Sequence, residues 1–373
     1  RSPSRGLGDV YKRQDQVYEK VVVDLESVLD SEVLPMKQPD EWAGRMTQAA
    51  ASMIYADYVM YQKDQSRYGK ALGYMKAIIN SHKYDLVKNY NDLYALDKEW
   101  NEEIIFDVNY IAKGGKRTWG DANFTGGTVY PEMIGIDGLT IKCAEGHTPE
   151  FTSGWGFGSV SKEVYDAFED NDRRRDVAIL NLDKYARAKF AEGDTVTYGG
   201  RYQNTGYFLR KYLPRPGDTE GSVGDAGLNH DENLHLYRYA ETLLNAAELA
   251  LATGDGLAQD YFDLVRERAG VASIPVTVDN IINERRLEFV GEGKRYFDLV
   301  RSGKAATVLK AGAGVVLRTK RTYNFDKNQW EGENTWGGQA IPERVDWTEN
   351  KKYIPIPQSE IEAAQGSITQ NPY

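Results

Sequence analysis

The stretch from Ile281 to Gly303, IINERRLEFVGEGKRYFDLVRSG, restricts the fold of this chain more than any other. Its apolar residues recur at intervals of three to four positions, which is the period of an α-helix. Gly291 and Gly293 interrupt that pattern, because glycine disfavours the interior of a helix. The segment therefore predicts two helices that meet at the glycines.

One face of these predicted helices carries charged residues of only two kinds. They are Glu284, Glu288, Glu292 and Arg295, spaced four, four and three residues apart. Arg285, Asp298 and Arg301 flank that line. A solvated face usually mixes Lys, Gln, Ser and Glu, whereas Glu and Arg suit a desolvated, bidentate ion-pair network. We therefore expect a structural charge network that locks helices together. Its predicted members are Glu284, Arg285, Glu288 and Arg295.

Two other interpretations of this pattern stay open at this point. The residues can form a surface helix with salt bridges between positions four apart. Glu284 and Glu288 can also be the paired carboxylates of a glycosidase. The neighbouring arginines weigh against the enzyme, because they would lower the pKa of both acids while a general acid needs a raised pKa.

The same stretch resembles the C-terminal signature of the SusD/RagB family of outer-membrane nutrient-binding lipoproteins. The matching positions are Glu284, Arg285, Glu288, Glu292, Gly293, Arg295, Asp298, Leu299, Arg301 and Gly303. LYRYAETLLNAAE at 236–248 and LVRERAG at 264–270 resemble two further helices of the family, and YIPIP at 353–357 with QNPY at 370–373 resembles its tail. The chain departs from the family in lacking a glycine before Tyr373 and in having Asn171-Asp172-Arg173 where Asp-Pro-Arg is usual.

Length and composition exclude several classes of protein. A chain of 373 residues can bury a large core as one or two domains. The formal charge of −10 argues against nucleic acid as a partner, and no apolar run reaches the roughly 20 residues that cross a bilayer. Cys143 is the only cysteine, and the four histidines lack metal-binding spacing. We therefore expect no internal disulfide, metal or cofactor.

The chain divides into five predicted regions. They are 1–14, a non-native leader; 15–102, tetratricopeptide-like helices; 103–230, a strand and loop insertion that forms a ligand lobe; 231–311, further tetratricopeptide-like helices; and 312–373, loops and a Pro-rich tail. The leader has no regular period, so we expect an N-terminally truncated fragment. In the first region we predict helices over 15–29, 41–62 and 66–81. The first of these is expected to bury Val17, Val21, Leu25 and Val28.

The predicted insertion begins with a β-rich run, 104–111, and continues into loops punctuated by glycine. A short helix is predicted over 161–170, weak strands and loops over 180–213, and a mobile surface loop over 214–230. Helices resume in a hairpin over 233–270. The pattern Gly154-x-Gly156-x-Gly158 is not interpreted as a dinucleotide-binding loop, because it lacks a strong preceding strand and a suitably placed acid.

Aromatic residues are unusually frequent, with 25 tyrosines and seven tryptophans, and the polar loops of 114–158 hold Trp119, Phe124, Tyr130, Phe151, Trp155 and Phe157. Sugars present flat CH faces with a rim of hydroxyls, so they are bound by exposed rings with polar groups at their edges. The candidate ligand-binding residues are Trp119, Tyr130, Trp155, Phe157, Arg117, Asp121 and Asn123. Trp119 is the strongest candidate. The alternative for each ring is a cover over the hydrophobic core.

The resemblance implies a mainly α fold, a tetratricopeptide-like helical superhelix with a loop-rich ligand-binding lobe containing a few short strands. It also implies a non-catalytic protein that captures oligosaccharides at the bacterial surface and delivers them to a SusC-like TonB-dependent transporter. The full-length protein would be lipid-anchored in the outer membrane, although signal peptide and lipobox are absent from this chain. The alternatives are a peptide-binding relative, a glycoside hydrolase and a scaffold for a protein partner.

Overall fold

The computed structural model describes residues 14–120, 126–199, 204–311 and 345–371, together with the backbone of 322–324 and 329–331. The α-helices of this part are α1 (Gln14–Asp30), α2 (Gln48–Gln62), α3 (Tyr68–Asn80), α4 (Tyr130–Ile134), α5 (Lys162–Asp166), α6 (Arg175–Ala178), α7 (Leu182–Ala191), α8 (Tyr239–Thr253), α9 (Ala258–Ala269), α10 (Val278–Glu288), α11 (Arg295–Arg301), α12 (Ala305–Val308) and α13 (Gln358–Ala363). Its β-strands are β1 (Ile104–Val108), β2 (Thr140–Lys142), β3 (Ile179–Asn181), β4 (Thr195–Thr197), β5 (Tyr207–Leu209), β6 (Leu234–Arg238), β7 (Thr322–Asn324) and β8 (Gln329–Glu331).

Helix α8 is the centre of the helical body. It packs against α3, α9 and α10, while α2 packs against α1 and α3. Nearly every side chain of α8 is buried, including Leu243, Leu244, Ala246 and Ala247. A helix that is buried on most of its surface must be covered by neighbours on several sides, and its alanines let those helices approach closely. The fold class predicted from the sequence, a tetratricopeptide-like helical body with a few short strands, is confirmed.

Two details of the first helices differ from prediction. Helix α2 begins at Gln48 rather than at 41, because the Thr47 side chain caps it by accepting a hydrogen bond from the Ala50 N–H at 3.0 Å. The buried face of α1 is also rotated by about one position. Val22 and Leu29 are buried, whereas Val17 and Val28 are exposed. Periodicity located both helices. Which of two adjacent residues of α1 is buried, such as Val28 or Leu29, depends on the side of α1 that meets α2.

Short antiparallel strand pairs organise the segment between α3 and α8. Strand β1 pairs with β6, with Ile104 opposite Arg238 and Val108 opposite Leu234. The predicted strand at 104–111 therefore exists over its first five residues, whereas the predicted helical hairpin at 233 begins with a strand. Strands β2 and β4 pair, as do β3 and β5. Helix α7 lies where the sequence predicted only weak strands and loops.

Helix α10 carries the buried acids of a network that spans the protein. Glu288 accepts hydrogen bonds from Arg268 at 2.5 Å, from Arg238 at 2.9 Å and from Arg174 at 3.0 Å. Glu284 accepts from Arg174 at 2.5 Å and from Arg266 at 2.6 Å. Because these arginines belong to α9, β6 and the segment before α6, the network ties three parts of the chain to one helix.

The network extends from both ends of this cluster. Arg285 donates to Glu241 at 2.7 Å and to Asp298 at 2.8 Å, which connects α10 to α8 and α11. Glu292 accepts from Lys211 at 2.5 Å and from Arg238 at 2.8 Å. Glu284, Arg285, Glu288 and Glu292 thus hold separate parts of the fold against the same helix and the turn that follows it.

The balance of charge keeps these buried acids ionised. Burial by itself would raise the pKa of Glu288, but the guanidinium groups of Arg268, Arg238 and Arg174 hold it well below its usual range. Burial likewise opposes ionisation of Glu292, and Arg238 with Lys211 still lowers the pKa of Glu292 to about 2. Each acid is therefore stable inside the protein only while its cations are in place.

Arg295 is the one predicted member that lies outside this network. Among the described residues, the only side-chain hydrogen bond of Arg295 joins Nη1 to the Ile282 carbonyl oxygen at 3.5 Å, and Arg295 forms no ion pair with a carboxylate there. Burial, reinforced by the neighbouring Arg286, lowers the pKa of Arg295. The reason is the turn at Gly291 and Gly293, where φ is +79° and +76°. The helical register ends there, so residues beyond the turn no longer share the face of Glu284 and Glu288.

We predict that Arg174→Ala destabilises the fold by about 3–5 kcal/mol, because it removes the partner shared by three buried carboxylates, those of Asp172, Glu284 and Glu288. Arg295→Ala is the matched control and is expected to cost less than about 1 kcal/mol, since it removes a half-buried guanidinium that pairs with no acid. Denaturant unfolding of both variants measures the difference. Equal costs would contradict the assignment of Arg174 to the network.

We also predict that Glu292→Gln makes the free energy of unfolding depend less on pH under acidic conditions. The pKa of Glu292 is about 2 in the folded protein against an ordinary value of 4.5, so between these pH values the unfolded chain binds more protons. The stabilisation that ionised Glu292 contributes is therefore fully present above pH 4.5. About 3 kcal/mol of it is lost as the pH falls towards about 2. Denaturant titrations across this range should give a shallower slope for the Gln variant. An unchanged slope would show that Glu292 is not held ionised.

Candidate ligand-binding site

Three predicted aromatic residues lie side by side on the surface of the segment between α3 and α8. The ring centroids of Trp119 and Trp155 are 5.4 Å apart with planes 32° from parallel, and those of Trp155 and Phe157 are 6.5 Å apart and nearly perpendicular. Trp119 is 71% exposed and Phe157 58%, while Trp155 is half-buried between them. We call Trp119, Trp155 and Phe157 the aromatic ridge. It is an exposed apolar surface without a charge of its own.

The loop that carries Trp119 is fixed from below by Asn229. This buried side chain accepts a hydrogen bond from the Arg117 N–H at 3.2 Å and donates to the Arg117 carbonyl at 3.0 Å. The Trp119 N–H donates to Oδ2 of Asp225 at 3.1 Å. The segment 214–230, predicted to be a mobile surface loop, thus supplies the two side chains, Asp225 and Asn229, that hold the Trp119 loop in position.

Trp155 and Phe157 lie on a strap that runs along α4. The Trp155 N–H donates to the Glu132 carbonyl at 2.7 Å, and the Phe157 N–H donates to the Met133 carbonyl at 2.9 Å. A Cβ on Gly154 would stand 2.5 Å from the Glu132 oxygen. The glycines of the strap let its backbone contact that of α4. The pattern Gly154-x-Gly156-x-Gly158 therefore has a packing role, in agreement with the prediction that it is not a dinucleotide-binding loop.

The remaining predicted residues are distributed differently. Tyr130 is half-buried against Tyr212, with ring centroids 5.5 Å apart, and its hydroxyl donates to the Gly291 carbonyl at 3.4 Å. It borders the same cleft as Phe157, but its ring packs on the interior. Arg117 supplies the backbone groups that anchor the loop. Asp121 and Asn123 lie outside the described residues.

The cleft beside Phe157 has a volume of about 1200 Å³, and no sequence pattern predicted it. Its walls come from α4, α5, α10 and α11, so its residues are far apart in the chain. Polar groups at its walls include Ser159, Asn283 and Arg286. Arg286 forms a bidentate ion pair with Glu163 on the opposite wall. The aromatic ridge thus ends at a cavity large enough to receive part of a ligand.

The chemistry of this surface suits binding of a neutral, flat-faced molecule. Exposed rings bury apolar area against a ligand and need no charge to do so. Among the residues that the structure describes, no group of three or more His, Cys, Asp or Glu side chains is placed to hold a metal ion. In the same part of the chain, none of the helices is long and apolar enough to pass through a lipid bilayer.

Comparison with known proteins gives a consistent result. A model of the SusD family matches residues 102–373. A curated SusD-like protein of Bacteroides ovatus is 23% identical over 340 residues, which is 87% of this chain and 55% of that protein. SusD-like protein P2 of Formosa agariphila is 26% identical over 307 residues, which is 77% of this chain and 56% of that protein. The chain therefore spans a little over half the length of these relatives.

Solved structures are similar over nearly the whole chain. Surface glycan-binding protein A from Bacteroides thetaiotaomicron is 43% identical with a TM-score of 0.81, over 96% of this chain and 70% of that one. The same protein in complex with laminarihexaose matches with the same identity and TM-score, over 71% of its chain. A laminarin-binding SusD-like protein is 29% identical with a TM-score of 0.76, over 69% of its chain.

We predict that Asn229→Ala loosens the Trp119 loop while the helical body stays folded. The variant loses the hydrogen bonds at both backbone groups of Arg117, so amide hydrogen exchange at Arg117 and Trp119 should accelerate about tenfold or more. Asn280→Ala is the control, because it removes a single exposed side-chain hydrogen bond on α10. Mass-spectrometric exchange of peptides covering 112–120 measures the effect. Unchanged exchange in the Asn229 variant would mean that the loop is held by other contacts.

Proposed function

This chain belongs to the SusD family, and we propose that it is a non-catalytic surface glycan-binding protein whose aromatic ridge holds an oligosaccharide. The observation that carries the proposal is the contact of Trp119, Trp155 and Phe157 in one exposed row on a hydrogen-bonded base. Such rings stack on the CH faces of sugar units, and the row offers successive platforms rather than a single pocket. A peptide would instead favour an exposed strand edge for backbone pairing.

The proposed ligand is a laminarin-type oligosaccharide. The support is the relative that is 43% identical over 96% of this chain and was solved with laminarihexaose. A second relative, 29% identical, is described as laminarin binding. The ridge and the adjoining cleft together offer room for several sugar units.

A hydrolytic role is disfavoured by the state of the acids in the sequence signature. Glu284 and Glu288 are buried and engaged by arginines, and the pKa of Glu288 is held well below its usual range, against the effect of burial, by Arg268, Arg238 and Arg174. A general acid needs a raised pKa and access to the glycosidic oxygen. These two carboxylates have neither property, which supports their assignment to the scaffold.

We further propose that the full-length protein is lipid-anchored at the outer-membrane surface and delivers its ligand to a SusC-like TonB-dependent transporter. Membership of the SusD family supports this arrangement. A tagged protein purified from detergent-solubilised outer membranes would be expected to bring such a transporter with it. Recovery without any transporter would contradict the proposed delivery and would leave the proposed ligand capture unaffected.

We predict that Trp119→Ala and Trp155→Ala each weaken laminarihexaose binding about tenfold, because each removes a stacking platform. The melting temperatures should stay within a few degrees of the wild type, since both rings lie at the surface. Trp42→Ala is the control, because Trp42 is an exposed tryptophan that does not belong to the aromatic ridge. Isothermal titration calorimetry with laminarihexaose, and with cellohexaose as the competing linkage, measures the affinities.

Two results would count against the proposed function. Unchanged affinity in both ridge variants would place the ligand elsewhere on the protein. Shorter sugars appearing during incubation with laminarihexaose, and absent with Glu288→Gln, would favour the hydrolase.

A further inference from the structure

A second cavity lies in the helical body, where α2, α8 and α11 meet. Its volume is about 570 Å³, and no residue of the aromatic ridge lines it. We call it the helical pocket. The residues used in the argument below are Asp57, Tyr58, Tyr61, Asn245, Arg285 and Phe297.

The helical pocket contains a buried hydrogen-bond donor without an acceptor. Asn245 is 1% exposed, and its Oδ1 accepts from Nη1 of Arg285 at 2.9 Å. That bond fixes the orientation of the amide, so Nδ2 points away from Arg285. Among the described residues Nδ2 has no hydrogen-bond partner. A buried donor left unpaired costs about 1–3 kcal/mol, and a partner from outside the chain would remove that cost.

Four charged residues at the helical pocket, Arg285, Glu241, Asp298 and Lys294, are paired with one another. Arg285 donates to Glu241 and to Asp298, and Lys294 lies 2.7 Å from Oε2 of Glu241. Asp57 accepts the hydroxyl hydrogen bond of Tyr237 at 2.8 Å and also lines the cavity. The lining therefore offers a donor, Asn245, and an acceptor, Asp57, around a core of compensated charge. This arrangement suits a neutral ligand with hydroxyl groups rather than an ion.

Aromatic side chains form the mouth of the helical pocket. Phe297 is 56% exposed and Tyr58 43% exposed, and the rings of Tyr61 and Phe297 meet edge to face at 6.1 Å. An adjacent cavity of about 510 Å³ shares Tyr58 and Tyr61 and continues towards Tyr353. Flat apolar walls over a polar floor are the two elements of a sugar site.

We propose that the helical pocket is a second carbohydrate site that takes one or two neutral pyranose units. The sugar ring packs against Tyr61 and Phe297, and its hydroxyl groups accept from Nδ2 of Asn245 and donate to Asp57. The volume lies in the range of small-ligand sites, about 300–1000 Å³. The choice of a sugar as the ligand rests on the proposed function, whereas the site itself rests on the unpaired amide and the rings above it.

The experiment follows the side-chain amide of Asn245 by nuclear magnetic resonance in protein labelled with ¹⁵N-asparagine. The background is the double variant Trp119→Ala, Trp155→Ala, which removes the aromatic ridge, and the probe is laminaribiose. We expect a saturable shift of the Asn245 signal. Adding Phe297→Ala should raise the apparent Kd about tenfold, and adding Trp42→Ala should not change it. Phe297 and Trp42 are both surface residues, so neither change threatens the fold.

Two outcomes would overturn the second site. One is an Asn245 signal that does not move with laminaribiose. The other is a signal that moves equally with the acyclic polyol sorbitol, which would make the binding non-specific. Either result leaves laminarihexaose binding by the ridge intact in the wild-type chain. Failure of the proposed function appears differently, as an affinity of the wild type for laminarihexaose that the ridge substitutions do not change.

Discussion

Burying an ion is so costly that a carboxylate can lie inside a protein only where cations and hydrogen-bond donors replace water around it. Glu288 meets this condition with Arg174, Arg238 and Arg268, which come from three separate parts of the chain. None of these parts can be displaced without leaving a charge unpaired in the interior. The network therefore fixes how the helices and the intervening segment dock, whatever its net contribution to stability. Apolar packing around α8 supplies the bulk of the burial, and the ion pairs select one arrangement of it.

The same network positions the proposed binding surfaces. Arg174 anchors the intervening segment to α10, and the turn after α10 contacts Tyr130 at the start of α4. The strap with Trp155 and Phe157 is hydrogen-bonded to α4, so the ridge is connected to the buried ions through a short series of backbone contacts. A ridge built on loops can thus be rigid, because those loops are bonded to elements whose positions the ion pairs determine. Rigidity reduces the entropy that a ligand would otherwise have to overcome on binding.

The sequence predicted the features that depend on local pattern, and few of the contacts between residues that are far apart in the chain. The helical period located α1, α2, α3, α10 and α11, and the restriction of one face to Glu and Arg predicted buried ion pairs. It did not identify the partners, because Arg174 is separated from Glu284 by 110 residues. Arg295 was assigned to the network by extending a helical register through two glycines that end it. The aromatic content of 114–158 indicated the ridge, whereas the role of Asn229 has no sequence signal, since buried asparagines and loop asparagines look alike.

The separation of charged from uncharged groups is consistent with the proposed sugar ligand. A neutral sugar cannot compensate a desolvated charge, so a free ion in its site would lose water and gain only a hydroxyl in return. The strongly desolvated charges of the network around α10 are paired with one another in the scaffold. The ridge is left with rings, and the helical pocket with rings, the Asn245 amide donor and the Asp57 carboxylate, which already accepts a hydrogen bond from Tyr237. An unpaired Asn245 is tolerable there because a neutral donor costs far less to bury than an ion, and it is useful because a hydroxyl group can satisfy it fully.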